Sequence, residues 1–279
     1  EELITKLDIK IEQTLFYDYW FTNSGLALSL LKEEAPQFKF ISRAHRYDLY
    51  DEIWMCPIPF RNTVASAASF IFPCSEDGTN YFKSKVAKKL HYKINTGYLG
   101  VKDNSMGKTP VTSPFQIVSC SSVIPRKGIE KIIQALALLK NVNFIWTHIG
   151  DGPELSRMVN LAKDTLPDDS FRFVGQKSNK DVILYYKESE IDVLVNLSES
   201  EGLPVSIMEA YSFGIPCIAL DVKGNREIVD KSSGLLISND SSIVDISHII
   251  RDCLFTKSRN SAFRQSLRDI YKYRFSLNN

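Results

Sequence analysis

The feature that most constrains the fold is an alternation, clearest in the second half of the chain, between short apolar runs and segments with helical periodicity. Phe115-Gln116-Ile117-Val118-Ser119-Cys120 reads as a buried strand. From Gly128 to Leu139 the residues Ile129, Ile132, Ile133, Leu136 and Ala137 then fall on one helical stripe. Asn143 to Ile149 is a second strand, broken by Gly150-Asp151-Gly152-Pro153 before another helical stretch. Phe171 to Val174, Ile191 to Val195 and Pro216 to Leu220 supply further strands with helical patterns between them. Strands and helices that alternate in this way build a mostly parallel sheet with helices on its faces. Residues 109–279 are therefore expected to form one doubly wound α/β domain.

The first part is less regular but similar in kind. Phe38 to Arg43 and Ser69 to Cys74 read as strands and Gly78 to Lys88 as a helix, so residues 1–108 are expected to form half of a Rossmann-like domain. Gly100 to Pro114 carries Gly, Asn, Ser, Pro and Lys without periodicity, the composition of a linker, which sets the boundary near Lys108. With 34 basic against 33 acidic residues there is no electrostatic case for nucleic acid as a partner. Five scattered cysteines without a C-x-x-C pair argue against both a disulfide framework and a zinc site, and for a reducing cytoplasm. No apolar run approaches the length of a membrane span, and Glu1-Glu2 opens no signal-peptide pattern. The expected location is the cytoplasm, with at most a peripheral position on the inner face of the membrane.

Open α/β sheets bind ligands outside the carboxyl ends of their strands. One such end is Val195-Asn196-Leu197, followed by the polar stretch Ser198 to Glu201 and by Gly202-Leu203-Pro204, which is expected to open a helix with proline in its first turn. Free N–H groups at a helix start form an anion site suited to a diphosphate, and Gly202 lets a phosphate approach the backbone closely. Glu201 would lie just outside this helix and Glu209 about one and a half turns inside it, roughly 8 Å along the axis. The two carboxylates would then flank the diphosphate, one reaching hydroxyls of a sugar and the other those of a ribose. Two solvated glutamates on an ordinary amphipathic helix would show the same spacing. After the first strand of the domain comes Pro125-Arg126-Lys127-Gly128, where a lysine can place a point charge on phosphate and an arginine a planar fork beside it. Basic residues before a glycine also make an ordinary solvated turn. No D-x-D metal-diphosphate signature occurs.

Order and spacing together go further. Val118-Ser119-Cys120 to Pro125-Arg126-Lys127-Gly128, Ile149-Gly150-Asp151-Gly152-Pro153, Phe173-Val174-Gly175, Ser200 to Pro204 with Glu209-Ala210, and Gly224-Asn225-Arg226-Glu227-Ile228-Val229 resemble the retaining glycosyltransferases of family 4, group 1. The most specific element is the E-x7-E motif, Glu201 through Glu209, followed by Phe213-Gly214-Ile215-Pro216. The resemblance implies a GT-B fold, two Rossmann-like domains facing a cleft, with the N-terminal one incomplete here. It implies retaining, metal-independent transfer of a sugar from a UDP-, GDP- or ADP-linked donor to a hydroxyl of a glycan or lipid-linked glycan, in bacterial polysaccharide or glycolipid synthesis. No cofactor and no metal site is expected.

By the same resemblance Glu201 contacts the donor sugar near the reaction centre, Glu209 the ribose, and Lys127 the diphosphate, with Gly202 and Leu203 supplying backbone amides. The loop at Gly175, Gln176 and Lys177 is the candidate for the nucleobase. Relatives often carry an arginine five positions before the lysine; here Ser122 stands there, and Arg126 is expected to replace part of that charge. His45, after the strand ending at Arg43, matches a histidine near the transferred sugar, although Arg46 follows it instead of the usual glycine. Only 44 residues precede His45, and no Gly-Gly loop occurs among them. An incomplete acceptor-facing wall is expected from this, which keeps donor binding without sugar transfer open as an alternative. Lys83, Lys85, Lys88, Lys89 and Lys93 with His91 form a basic run that suits either a solvated helix face or contact with anionic lipid. A GT-B sugar-nucleotide epimerase and a catalytically idle donor-binding subunit are the alternative readings.

Overall fold

Leu15–Asp18 (β1), Lys39–Ala44 (β2) and Phe70–Pro73 (β3) pair in parallel in the order β1-β2-β3. They belong to a computed structural model of the chain that describes residues 9–229 and 235–277; the Glu1-Glu2 start lies outside the described residues. In β2 every second residue, Phe40, Ser42 and Ala44, is buried, as a strand with one face against a helical layer requires. The helices Asn23–Glu34, Arg61–Ala67 and Glu76–Ser84 form that layer, and Phe38, Phe40, Val64, Ile71, Phe82 and Ile94 make the core of this first unit. Sequence patterning identified β2 and β3 but not β1, whose Leu15 and Tyr17 are more than half exposed on an edge strand.

The second sheet has six parallel strands: Phe115–Cys120 (β4), Phe144–Ile149 (β5), Phe171–Phe173 (β6), Val193–Asn196 (β7), Cys217–Leu220 (β8) and Leu236–Ile237 (β9). Their order is β6-β5-β4-β7-β8-β9, the doubly wound arrangement expected for this stretch. All four residues of β7 and all four of β8 are buried, because central parallel strands are covered on both faces. The helix Ile129–Ala137 turns Ile129, Ile132, Ile133 and Leu136 inward as its stripe predicts, with Ala135 rather than Ala137 completing the buried face. Asp192, immediately before β7, is fully buried. It accepts the backbone N–H of Gln116 at 2.8 Å, the Ser258 hydroxyl at 3.1 Å and the Arg259 guanidinium at 2.8 Å, tying β4, β7 and the C-terminal segment together.

The chain divides between Tyr98 and Leu99, ten positions before the compositional boundary at Lys108 (108 − 98). The stretch that reads as a linker is a strap laid on the second unit. Val101 N–H donates to Phe275 O, Asn104 Nδ2 to Ser212 Oγ, Gly107 N–H to Phe213 O and Lys108 Nζ to Glu188 O. These bonds, from backbone and side chains alike, reach partners eighty or more positions away, which local composition does not reveal.

Candidate functional site

β4 has β5 on one side and β7 on the other, so the sheet changes winding direction between β4 and β7. Loops leaving the carboxyl ends of two such strands diverge and leave a crevice between them. Residues 121–128 follow β4 and residues 197–204 follow β7, and they carry Lys127 and Glu201. The ammonium of Lys127 and Oε1 of Glu201 form a tight ion pair, with side chains only 13% and 12% exposed. Around it Arg126 Nη1 donates to Ser200 O at 3.3 Å, Glu199 N–H donates to Arg126 O at 2.9 Å, and Lys131 meets Glu199 at 2.8 Å. The Arg126 guanidinium thus spends one donor on holding the motif loop.

Two glycines make this close approach possible. Gly128 has φ +66°, and a Cβ there would lie 2.3 Å from the Leu197 carbonyl oxygen, so only glycine allows the loop after β4 to touch the loop after β7. A Cβ on Gly224 would lie 1.8 Å from the carbonyl oxygen of Gly202, so the 3₁₀ turn Lys223–Glu227 rests directly on the motif. Gly202 and Leu203 are buried in that loop. Pro204 is the residue before the helix Val205–Ser212 rather than part of its first turn, one position earlier than the sequence suggested. The first free N–H groups of that helix are therefore offered from Val205 onward.

Glu209 lies inside this helix and is 6% exposed. Burial raises its carboxyl above the usual carboxylate range, while a 2.6 Å hydrogen bond from Asn179 Nδ2 to Oε1 works in the opposite direction. Burial and the neighbouring Glu209 push the Cys120 thiol, at the end of β4, up to about 11, which keeps it neutral. Gly175 has φ +69° with open space where a Cβ would be, its carbonyl accepts the Gly150 N–H at 2.9 Å, and Gln176 and Lys177 are exposed beyond it. The candidate nucleobase loop therefore runs directly into Asn179, which sequence reasoning missed; an asparagine at a helix start reads as ordinary capping chemistry. Also missed was a buried chain under the β4 and β5 ends, where Trp146 Nε1 donates to Ser119 Oγ at 2.9 Å and Ser119 Oγ lies 2.8 Å from His148 Nδ1. Burial lowers His148 to about 4, so its ring is neutral.

His45 belongs to the first unit and is described there. It precedes the short helix Arg46–Leu49, its backbone N–H donates to Asp48 Oδ1 at 2.5 Å, and its ring packs against the adjoining rings of Tyr19 and Trp20, with centroids 4.7 and 4.5 Å away. Its Nε2 is buried without a hydrogen-bond partner among the described residues. The basic run is not one helix face. The helix ends at Ser84 and a 3₁₀ turn occupies Lys88–Lys93. Lys93 Nζ donates to the carbonyls of Ser66 and Ala68 at 2.7 and 2.8 Å, closing the end of another helix, and Lys85 pairs with Asp51 at 3.0 Å. Lys88 and Lys89 are the exposed remainder. Among the described residues no helix is long and apolar enough to cross a membrane, and no group of three His, Cys, Asp or Glu side chains converges as metal ligands.

The doubly wound parallel sheet, with its glycine turns packed at the switch point, is an α/β architecture of the GT-B class. Residues 101–269 match the family described as glycosyl transferases group 1, and the chain belongs to that family. It is 28% identical over 147 residues to the amylovoran biosynthesis glycosyltransferase AmsK of Erwinia amylovora, a match covering 50% of this chain and 36% of AmsK. The chain thus spans less than half the length of that relative. Among solved structures it superposes on sucrose-phosphate synthase of Thermosynechococcus elongatus with TM-score 0.78 at 18% identity, covering 99% of this chain and 73% of the other. It superposes on HepE of Anabaena, in complex with UDP-glucose, with TM-score 0.74 at 17% identity, covering 98% and 78%. These likenesses establish the fold.

Proposed function

We propose that the second unit binds a nucleotide-diphosphate sugar and that the protein transfers the sugar, with retention and without a metal, to a glycan or lipid-linked glycan hydroxyl in bacterial polysaccharide synthesis. The observation that carries this reading is the meeting of Lys127 and Glu201 at the switch point, a cation and a carboxylate from different loops held side by side with little of either exposed. An incoming diphosphate competes with Glu201 for Lys127, and the released carboxylate is then free for the sugar hydroxyls. Charge on the leaving diphosphate falls to Lys127, to the remaining donors of Arg126 and to the N–H groups at the start of Val205–Ser212, all in place before reaction. In this reading Glu209 takes the ribose and the loop at Gly175, Gln176 and Lys177 the base; the UDP-glucose complex of HepE and the biosynthetic role in AmsK's name support the class of donor and the kind of pathway by analogy of fold and family.

Calorimetry with UDP, GDP and ADP tests donor binding; binding of none of them overturns the reading. Incubation with a panel of nucleotide sugars then separates three outcomes. Nucleotide release that depends on an added glycan supports the transferase, isomerisation without acceptor makes the protein an epimerase, and binding without turnover makes it an idle donor-binding subunit. A cytoplasmic location fits five free cysteines, and peripheral contact with anionic lipid would rest on Lys88 and Lys89.

A further inference from the structure

Glu209 enters any ribose contact with half of its carboxylate already engaged. Oε1 accepts from Asn179 Nδ2 at 2.6 Å. Because an ionised carboxylate only accepts, the amide must present its nitrogen to Glu209 and turn Oδ1 the other way. Among the described residues Oε2 of Glu209, Oδ1 of Asn179 and the second N–H of Asn179 have no hydrogen-bond partner. Two side chains thus stand joined edge to edge. The joined pair offers an acceptor oxygen on the buried partner, and an acceptor plus a spare donor on the exposed one.

The two residues come from different elements that converge on the same crevice. Asn179 is the first residue of the helix Asn179–Glu188, whose preceding Ser178 Oγ accepts the Asp181 N–H at 3.2 Å and so fixes the helix start. Glu209 is held in the helix Val205–Ser212, which begins at the motif loop. Asn179 is also continuous with the loop at Gly175, Gln176 and Lys177. A ligand that lays its base on that loop and its diphosphate at Lys127 must pass its ribose over the joined pair. The ribose cis-diol is itself two neighbouring hydroxyls, each able to donate and accept, so it matches a carboxylate oxygen beside an amide.

We propose that the ribose diol is read by Asn179 and Glu209 together, one hydroxyl by each residue, so that Asn179 is a second ribose-contacting residue and not only a brace for Glu209. This assignment rests on the donor-site reading above. It distributes recognition between a charged and a neutral acceptor: a hydroxyl donated to a carboxylate contributes about tenfold or more in affinity, one shared with an amide about two- to tenfold.

The test is calorimetry with UDP, 2′-deoxy-UDP and 3′-deoxy-UDP on the parent chain, Asn179→Ala and Glu209→Ala. The parent should bind both deoxy nucleotides more weakly than UDP. Asn179→Ala should keep discriminating at one hydroxyl and lose discrimination at the other, and Glu209→Ala should show the complementary pattern. If Asn179→Ala weakens all three nucleotides by one common factor, or leaves all three unchanged, Asn179 does not contact ribose and the proposal is overturned. If the parent binds no nucleotide at all, the donor-site reading itself fails. Asn179 is exposed, so its truncation leaves the core intact, and circular dichroism of the variant confirms that any loss is local.

Discussion

Replacing Lys127 by Met should separate what this residue does for the fold from what it does for a donor. In the ligand-free protein its partner is Glu201, and both side chains are nearly nine-tenths buried. Removing one member of a buried pair leaves an uncompensated charge and costs about 3–5 kcal/mol. Both side chains keep a small exposed fraction, so the lower figure applies, and a loss of about 3 kcal/mol corresponds to roughly 6–12 °C in Tm for a unit of this size. Glu201→Gln removes the stranded charge, so Lys127→Met/Glu201→Gln should regain most of that stability. Donor binding should not follow. A charge-assisted hydrogen bond to the diphosphate is worth about 1.5–3 kcal/mol, so UDP should bind roughly ten- to a hundredfold more weakly to Lys127→Met. The double variant should remain weak although it melts like the parent. Thermal melts and UDP calorimetry on the parent, both single variants and the double provide the comparison. A Lys127→Met protein that melts with the parent, or a double variant that recovers UDP affinity, would refute the argument that one lysine serves both partners in turn.

Other expectations come from the same crevice and the sheet beneath it. Gly224→Ala drives a methyl group into the carbonyl of Gly202, so UDP binding should fall at least tenfold with little change in far-ultraviolet circular dichroism; retained affinity would show that the Lys223–Glu227 turn does not shape the motif loop. The raised carboxyl of Glu209 means that the folded chain holds a proton which the unfolded chain releases near 4.5. Stability from this group is therefore present below 4.5 and lost as pH rises through the folded value, and Glu209→Gln should lose that slope in urea titrations. Ribose hydroxyls favour the ionised form, so UDP affinity should drop as pH falls through the same window, with proton release seen by calorimetry in buffers of different ionisation enthalpy. His148 runs the opposite way. Its stabilisation is complete above 6.5 and about 3 kcal/mol is lost as pH falls toward 4, where the folded ring titrates; His148→Gln should flatten that loss, and parallel parent and variant curves would rule it out.

The second unit was legible because its strands are buried on both faces and so read as uninterrupted apolar runs. β4, β7 and β8 lie within two residues of the runs Phe115 to Cys120, Ile191 to Val195 and Pro216 to Leu220 expected from the sequence. β1 escaped because it is an edge strand with Leu15 and Tyr17 facing out, and β9 because it has two residues, too few for any period to show. The strap at 99–114 was misread for a related reason: its order comes from partners such as Phe275, Ser212 and Glu188, and a segment held by distant groups needs no pattern of its own. The same distinction divides the basic residues. Lys127 and Lys93 are equally plain in the sequence, yet one faces a carboxylate across a crevice and the other closes a helix on backbone carbonyls.

That distinction also separates the lysines from the motif pair. A lysine has a long flexible stem and finds whatever acceptor the fold brings near. Glu209 has less choice. A carboxylate in the interior of an apolar helix, between Met208 and Ala210, which are both fully buried, is costly unless something compensates it. Asn179 meets one oxygen only. The other oxygen is left for a donor from outside the chain, and the burial that raises the Glu209 carboxyl is relieved when that donor arrives. In the free protein that oxygen still reaches solvent, so under the donor-site reading a ribose hydroxyl replaces water there and relieves the burial cost of the carboxylate. A ligand offering two hydroxyls at the spacing of the pair should therefore stabilise the second unit more than its contact area alone predicts.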